Sequence, residues 1–356
     1  MTIERALITP TSNAVLERAL QDKLHQRSEA AGSLGELEPL AIRLGLMQNT
    51  LKPRFREPQL AVFAGDHGLA VDGVTPATQQ PTQDLVGQLL RGVLPLSAFA
   101  RSQQIDMTVI DCGIAAAVAP HERLLTRKIA HGTRNTRISA AMSLDQAHAA
   151  IRAGMEIGDT LRGNVLMCAG VGVGSHQSAA LVLARLGENI IRELLFSGPH
   201  MPAEDLAHQL GLAHGAQARH KEASDPVEVM AAFGGFEMAV MVGVILVAAS
   251  KRHLVMVDGM PACAALMVAQ RIAPACVDYS VFCRSRVHQG LDHAMQMFRA
   301  TALLELGLDS TDGTGAVLAW PLVRSSAALL TEVADGEDPG PSIPVPLVAA
   351  PAAGTA

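Results

Sequence analysis

Aromatic side chains are scarce in this chain: one Trp, one Tyr and eight Phe make up 3% of 356 residues. A core without large rings must be filled by small aliphatic groups, so close helix packing has to carry it. Basic charge is short as well, with 28 Lys and Arg against 34 Asp and Glu, a formal net charge of −6 and a pI near 6.1. Nucleic-acid binders usually carry a basic stripe; none is visible, and a polyanion is not expected as a partner. The five cysteines, Cys112, Cys168, Cys263, Cys276 and Cys283, are odd in number and show no CxxC spacing. They sit mostly in apolar runs, which fits reduced, buried thiols in a cytosolic protein.

Long hydrophobic runs are missing too. The N-terminal "MTIERALITPTSNAVLERAL" has scattered charges and no apolar h-region, so no secretory signal is expected and the reading is cytoplasmic. The greasiest segment, "MAVMVGVILVAAS" from Met238, lies between Glu237 and Lys251-Arg252. At about a dozen residues it falls short of the roughly 20 needed to span a bilayer. It reads as a buried helix, and no membrane partner is expected.

What is present is a chain 49% apolar and 17% charged, long enough for one large domain with a small companion. Short apolar runs end in Gly or Asp and give way to helical periodicity: "QLAVFAGDHG", "DMTVIDCGI", "NVLMCAGVGVG", "HLVMVDGM" and "DYSVFC". Such runs are the signature of parallel strands buried on both faces. The expected fold is α/β, a parallel Rossmann-like sheet with helices on both faces, plus a small helical domain from both chain ends. The expected boundaries are 1–50 for the N-terminal helices, 51–290 for the large domain, 291–334 for the C-terminal part of the small one, and 335–356 for a Pro-, Ala- and Gly-rich disordered tail. Ser33 and Glu36 have capping-box spacing ahead of the second helix. After residue 290, "GLDHAMQMFRATALLELGL" reads as helical.

The chemistry-bearing motifs fall at the carboxyl ends of the strands, where open sheets of this kind bind ligands. "AGVGVGSHQS" places Gly170, Gly172 and Gly174 before Ser175 at the start of a helix. Bare glycines and a helix N-terminus suit a phosphate, or else the run is a tight turn only. It fails as a dinucleotide fingerprint, because GxGxxG needs glycine where Ser175 stands. Asp66 and His67 in "AGDHG" have no further ligand at metal spacing, so they are read as ordering their loop, and no metal is expected. Glu237 in "GGFE" is placed to meet a helix dipole or to act as a cap. In "DSTDGTGAVLAW", Asp312 stands against a Gly-Thr-Gly turn, either as a proton acceptor or as a turn closure.

Taken in order, these segments resemble the nicotinate-nucleotide–dimethylbenzimidazole phosphoribosyltransferase family of cobamide assembly. The resemblance rests on "GSLGELEPLA", "AVFAGDHGLAVDGVT", "VIDCGI", "GTRN" at 132–135, "AAMSLDQAHAAIRAGMEIG", "DPVEVMAAFGGFEMAVMVG", "MVDGM" and "DGTGAVLAWPLV". It spans about residues 20 to 332. It implies transfer of phosphoribose from nicotinate mononucleotide to a benzimidazole-type base, release of nicotinate, an α-ribotide product, no cofactor and no metal. It also implies a small domain built from both chain ends and a homodimer, or a heterodimer with another family member.

By the same resemblance Asp312 takes the place of a glutamate in "LGEGTGA" and becomes the general base. Gly172, Gly174, Ser175, Gly313, Thr314 and Gly315 become the phosphate and nucleotide site through backbone N–H groups. Thr75, Ala77 and Gln79 in "GVTPATQ" become the base pocket, where Ala77 replaces an aromatic ring.

The departures are specific. Asp312 is one methylene shorter than glutamate. Gly170 stands where the family has an acid and Gln209 where it has a lysine, with His176 or His200 as compensating donors. Arg284, Arg286 and His288 make the stretch after Tyr279 more basic and suited to a carboxylate or phosphate. Two readings follow: an active transferase of altered base specificity, or a relative that binds nucleotide or base without turning it over alone.

Overall fold

The computed structural model of the chain describes residues 8–26, 32–74, 80–196, 201–284 and 289–333. Thr75, Ala77 and Gln79 of the expected base pocket, His200, Arg286, His288 and the tail 335–356 lie outside the described residues.

All five apolar runs are strands of one parallel sheet: β1 (Pro58–Gly65), β2 (Asp106–Gly113), β4 (Val165–Val171), β5 (Leu254–Val257) and β6 (Ser280–Arg284). Two three-residue strands join them at the edges, β3 (Leu124–Thr126) and β7 (Ala302–Leu304). The order is β3-β2-β1-β4-β5-β6-β7. The chain therefore builds outward from β1 to one edge, returns to lay β4 on the other side of β1, and builds outward again. That reversal opens a crevice beyond the carboxyl ends of β1 and β4, the usual ligand position in such sheets. The β1–β2 register also shifts between Ala64 and Gly65, at the crevice end of the strand.

The packing shows how a core does without rings. The helix Phe236–Ser250 is apolar all round, with 13 of its 15 residues buried. It lies against the helix Leu144–Asp159 so closely that a Cβ on Gly154 would strike the Val240 carbonyl, and one on Gly243 the Ile151 carbonyl. Glycine at the crossing replaces side-chain bulk with backbone contact, and dispersion over many small atoms supplies the cohesion. All five cysteines are free and buried, and burial pushes the thiols of Cys168 and Cys263 well up.

The two chain ends meet in a second, smaller apolar cluster. Leu20 and Leu24 of the helix Ala14–His25 and Ala41 of the helix Leu37–Gln48 close on Leu329 and Leu330 near the C-terminus. Among the described residues one helix, Thr314–Val333, is long and apolar enough to cross a membrane by length and composition. Of its apolar window, 56% is buried inside the protein.

Two local expectations are corrected. Ser33 and Glu36 form no capping box: Gly35 sits at φ +56 between them, the Ser33 hydroxyl accepts from the Gly35 amide, and the helix starts only at Leu37. The stretch after residue 290 is not one helix. It ends at Met297, turns through Arg299 at φ +53, and returns as β7 on the edge of the large sheet. Ala302–Leu304 thus join the large sheet as its edge strand beside β6.

Candidate active site

At the ends of β1 and β4, a buried carboxylate gathers three segments of chain. Glu237, in the first turn of its helix, has no exposed surface. Its Oε1 meets His67 Nε2 at 2.8 Å and accepts from the Ser175 hydroxyl at 2.9 Å. The loop after β1, the helix Ser175–Gly187 and the helix Phe236–Ser250 are thereby pinned at one point. Asp66 does the same for the other side: it accepts from the Ala115 amide at 2.7 Å and from the Thr82 hydroxyl, while Thr82 in turn accepts from the Val173 amide at 3.0 Å. Asp66 and His67 both hold loops here. Thr82 does not stand out in the sequence, since its partners lie 16 and 91 residues away.

Gly174 caps the helix Ser175–Gly187 at φ +84, so its turn is left-handed as an N-cap glycine permits. Gly172 lies so near the end of β1 that a Cβ there would strike the Gly65 carbonyl. The first turn of the helix is thus delivered to the crevice. At Gly170 the direction a side chain would take is filled by the Pro261 ring, 2.5 Å from an ideal Cβ. An acid cannot be restored at Gly170 unless Pro261 moves.

The ends of β5 and β6 carry charge. Asp258 is 1% exposed and its Oδ2 accepts from the amides of Gly313 at 2.7 Å, Gly315 at 2.8 Å and Ala316 at 3.2 Å. It answers the positive end of the helix Thr314–Ala328. The expectation that Gly313, Thr314 and Gly315 hold a phosphate is corrected by this contact: two of their amides belong to Asp258, and Thr314 turns both its N–H and its hydroxyl to the Thr311 carbonyl. Arg284 does hold carboxylates, but they are the protein's own. Its Nε meets Asp258 Oδ1 at 2.6 Å, its Nη1 donates to the Ser310 carbonyl at 2.9 Å, and its Nη2 pairs with Asp312 Oδ1. The guanidinium serves the protein's own acids and carbonyls.

Asp312 keeps 21% of its side chain accessible, against 2% for Arg284. Desolvation by the surrounding protein pushes its carboxyl up to about 7, with Arg284 pulling it down and Asp258 pushing it up. A carboxylate near neutrality in a cleft is suited to taking and returning a proton at physiological pH.

One cavity of about 430 Å³ joins these halves. Gly172, Gly174, Ser175 and His176 line one side, Gly259, Arg284 and Asp312 the other. Gln177 and Gln209 close a third wall: both amide nitrogens donate to the Val74 carbonyl, at 2.9 and 3.0 Å, and Gln177 also donates to Gln209 Oε1 at 3.3 Å. A carbonyl only accepts, which fixes which way both amides point. His176 Nε2 meets the Leu194 carbonyl at 3.1 Å. Among the described residues no group of three His, Cys, Asp or Glu side chains comes together as for a metal ion.

A parallel sheet of this order hosts many chemistries at its carboxyl edge, and comparison with known proteins supplies the class, a phosphoribosyltransferase. The phosphoribosyltransferase family model matches residues 8–340, and the chain belongs to that family. The nicotinate-nucleotide–dimethylbenzimidazole phosphoribosyltransferase of Cupriavidus taiwanensis is 36% identical over 95% of this chain and 98% of that protein. Its namesake in Dechloromonas aromatica is 37% identical over 92% of this chain and 96% of its own length. A crystal structure of the Thermus thermophilus enzyme of the same name superposes with a TM-score of 0.83 at 29% identity, covering 90% of this chain and 96% of that one.

Proposed function

We propose that this chain moves phosphoribose from nicotinate mononucleotide to a benzimidazole-like base, giving an α-ribotide for the lower ligand of a cobamide. The base nitrogen attacks C1′ of the ribose, the C1′–N bond to nicotinate breaks, and the proton released from the attacking ring goes to the carboxylate of Asp312. General-base transfer of this kind needs the carboxylate within about 2.6–3.2 Å of the proton-bearing nitrogen. The nucleotide phosphate takes the first turn of the helix Ser175–Gly187, beside Gly172, Gly174 and Ser175, where the helix dipole favours an anion; the Ser175 amide and hydroxyl are themselves held by the Gly172 carbonyl and Glu237. Thr75, Ala77 and Gln79, which lie outside the described residues, are assigned to base recognition on the family resemblance alone. Asp66, His67 and Glu237 keep the loops in position.

The observation that carries this reading is the shared cavity: Asp312 and the glycine turn before Ser175 face the same 430 Å³ of space. We place the enzyme in the cytoplasm, as a homodimer or paired with a second family member. The test is incubation of the purified protein with nicotinate mononucleotide and a panel of benzimidazoles, purines and phenols. Nicotinate released with at least one base, together with a new ribotide, is the expected result. No nicotinate release with any base defeats the reading.

A further inference from the structure

Three features of the crevice stand out beyond the base itself: the Glu237 cluster, the Gln177–Gln209 wall and the guanidinium of Arg284. Arg284 is the one in contact with Asp312. It is 3% exposed, deep behind the acid, and braced on four points of the protein. Its Nε meets Asp258, and its Nη1 reaches the carbonyls of Ser310 at 2.9 Å and Leu308 at 3.4 Å and the Ser310 hydroxyl at 3.5 Å. Asp258 is itself fixed to the amides of the helix that begins just after Asp312. The whole turn from Leu308 to Gly313 therefore closes around one side chain.

Two glycines have the shape of this arrangement built into them. The Arg284 stem passes over Gly315 so closely that an ideal Cβ there would lie 2.9–3.0 Å from its Cβ, Cγ and Cδ. The Asp312 carboxylate occupies the volume a side chain on Gly259 would need, and Gly259 sits at φ +100. Any larger residue at either position moves the acid.

We propose that Arg284 is the positioning residue of the transfer reaction: braced on Asp258 and the 308–310 carbonyls, its guanidinium holds the Asp312 carboxylate at the cavity wall and keeps it ionised for the incoming base. The proposal rests on the reading of Asp312 as the proton acceptor. Arg284 lines the cavity, but its nitrogens are engaged by Asp258, the Leu308 and Ser310 carbonyls and Asp312, so it acts through Asp312. Without the guanidinium, Asp258 and Asp312 face each other with no counter-charge, and like-charged carboxylates that share a site cannot both ionise freely. The other ionisable groups facing this point are Asp309 on the same turn and the thiols of Cys263 on the helix Met260–Ile272 and Cys283 in β6, both pushed up by burial. Neither thiol replaces a cation.

The test uses the full-length protein and the variants Arg284→Met and Arg284→Lys, with two readouts. The first is the pH profile of kcat alongside the Kd of nicotinate mononucleotide. The second is the ionisation of Asp312 followed by carbon-13 NMR of labelled Asp carboxyls and assigned with Asp312→Asn, which reads the coupling whether or not transfer occurs. For Arg284→Met the expected result is a kcat lower by roughly 10²-fold from misplacement of the acid. The same variant should titrate Asp312 about 1–3 pH units higher, as for a carboxylate that has lost its cation. The nucleotide Kd should stay within about threefold, about 0.65 kcal/mol.

Arg284→Lys should keep the Asp312 titration near that of the wild type while kcat still falls, because a point charge replaces a two-armed fork. If Arg284→Met does not fold, Arg284→Lys decides alone: full kcat in that variant overturns the positioning role. An unchanged Asp312 titration in Arg284→Met, or a loss confined to nucleotide Kd, also overturns it. If the wild type releases no nicotinate but the titration moves as expected, the transfer reading fails and the Arg284–Asp312 coupling stands.

Discussion

Both ends of the crevice hold buried acids, and they hold them differently. At the ends of β1 and β4, Glu237 is fully buried and its Oε1 is taken by an imidazole and a hydroxyl. At the ends of β5 and β6, Asp258 and Asp312 share one guanidinium, and Asp312 keeps a fifth of its side chain open to the cavity. The first arrangement ties three segments together and offers its acid no route to a ligand. The second leaves an acid poised near neutrality beside empty space. One acid is closed off inside the protein and the other faces the cavity.

The contrast is broken most sharply at Asp312. Asp312→Asn keeps the shape and removes the proton acceptor, so turnover should fall by about 10²–10⁴-fold, the usual contribution of general-base catalysis. Nucleotide affinity should be retained, and a calorimetric titration beside the rate assay separates the two; unchanged turnover would remove Asp312 from the mechanism.

Glu237→Ala should do the reverse, damaging stability before chemistry. It strips the common acceptor from His67 and Ser175, and a buried polar group left without its partner costs about 1–3 kcal/mol. Urea unfolding should show the loss as a lower midpoint, and a midpoint equal to that of the wild type would mean the cluster holds nothing together.

The pH dependence sharpens the comparison further. Asp312 must be ionised to accept a proton, and burial pushes its carboxyl up to about 7. The sign is fixed: below that value the acid is protonated and kcat is low, and kcat rises tenfold per pH unit toward a plateau above it. A profile already flat from pH 5 to 8 would contradict the assignment. The smallest effect belongs to a pair outside the crevice. Arg137 holds the Asp72 carboxyl below its usual range through a 2.7 Å contact, and 39% of the Arg137 side chain is exposed. Arg137→Ala should leave the thermal unfolding midpoint almost unmoved, as loss of an exposed pair does, with no change in kcat.

Legibility in the sequence follows the reach of the interactions. The five apolar strands and the turn at Gly174–Ser175 can be read because strand, glycine and helix are contiguous, so local pattern carries the whole feature. β3 and β7 cannot: three residues at a sheet edge have no period, and β7 lies inside a stretch whose apolar spacing is helical. Asp312 is found through its neighbouring Gly-Thr-Gly, but local pattern misreads the role of that turn. Its amides go to Asp258, 55 residues earlier in the chain, and no local signal announces a cap from that distance. Arg284 is visible as charge, yet its partner Asp312 stands 28 residues on and faces it only because β6 and the 308–312 turn end at the same edge. Sequence pattern locates the crevice; the pairing of its charges is a property of the fold.

The most direct test of the account is a crystal structure of the protein with nicotinate mononucleotide and a benzimidazole soaked into the same crystal. The account predicts the phosphate at the first turn of the helix Ser175–Gly187, and a ring nitrogen of the base within about 2.6–3.2 Å of the Asp312 carboxylate. A nucleotide seated elsewhere, or a base whose nitrogens all point away from Asp312, would contradict it.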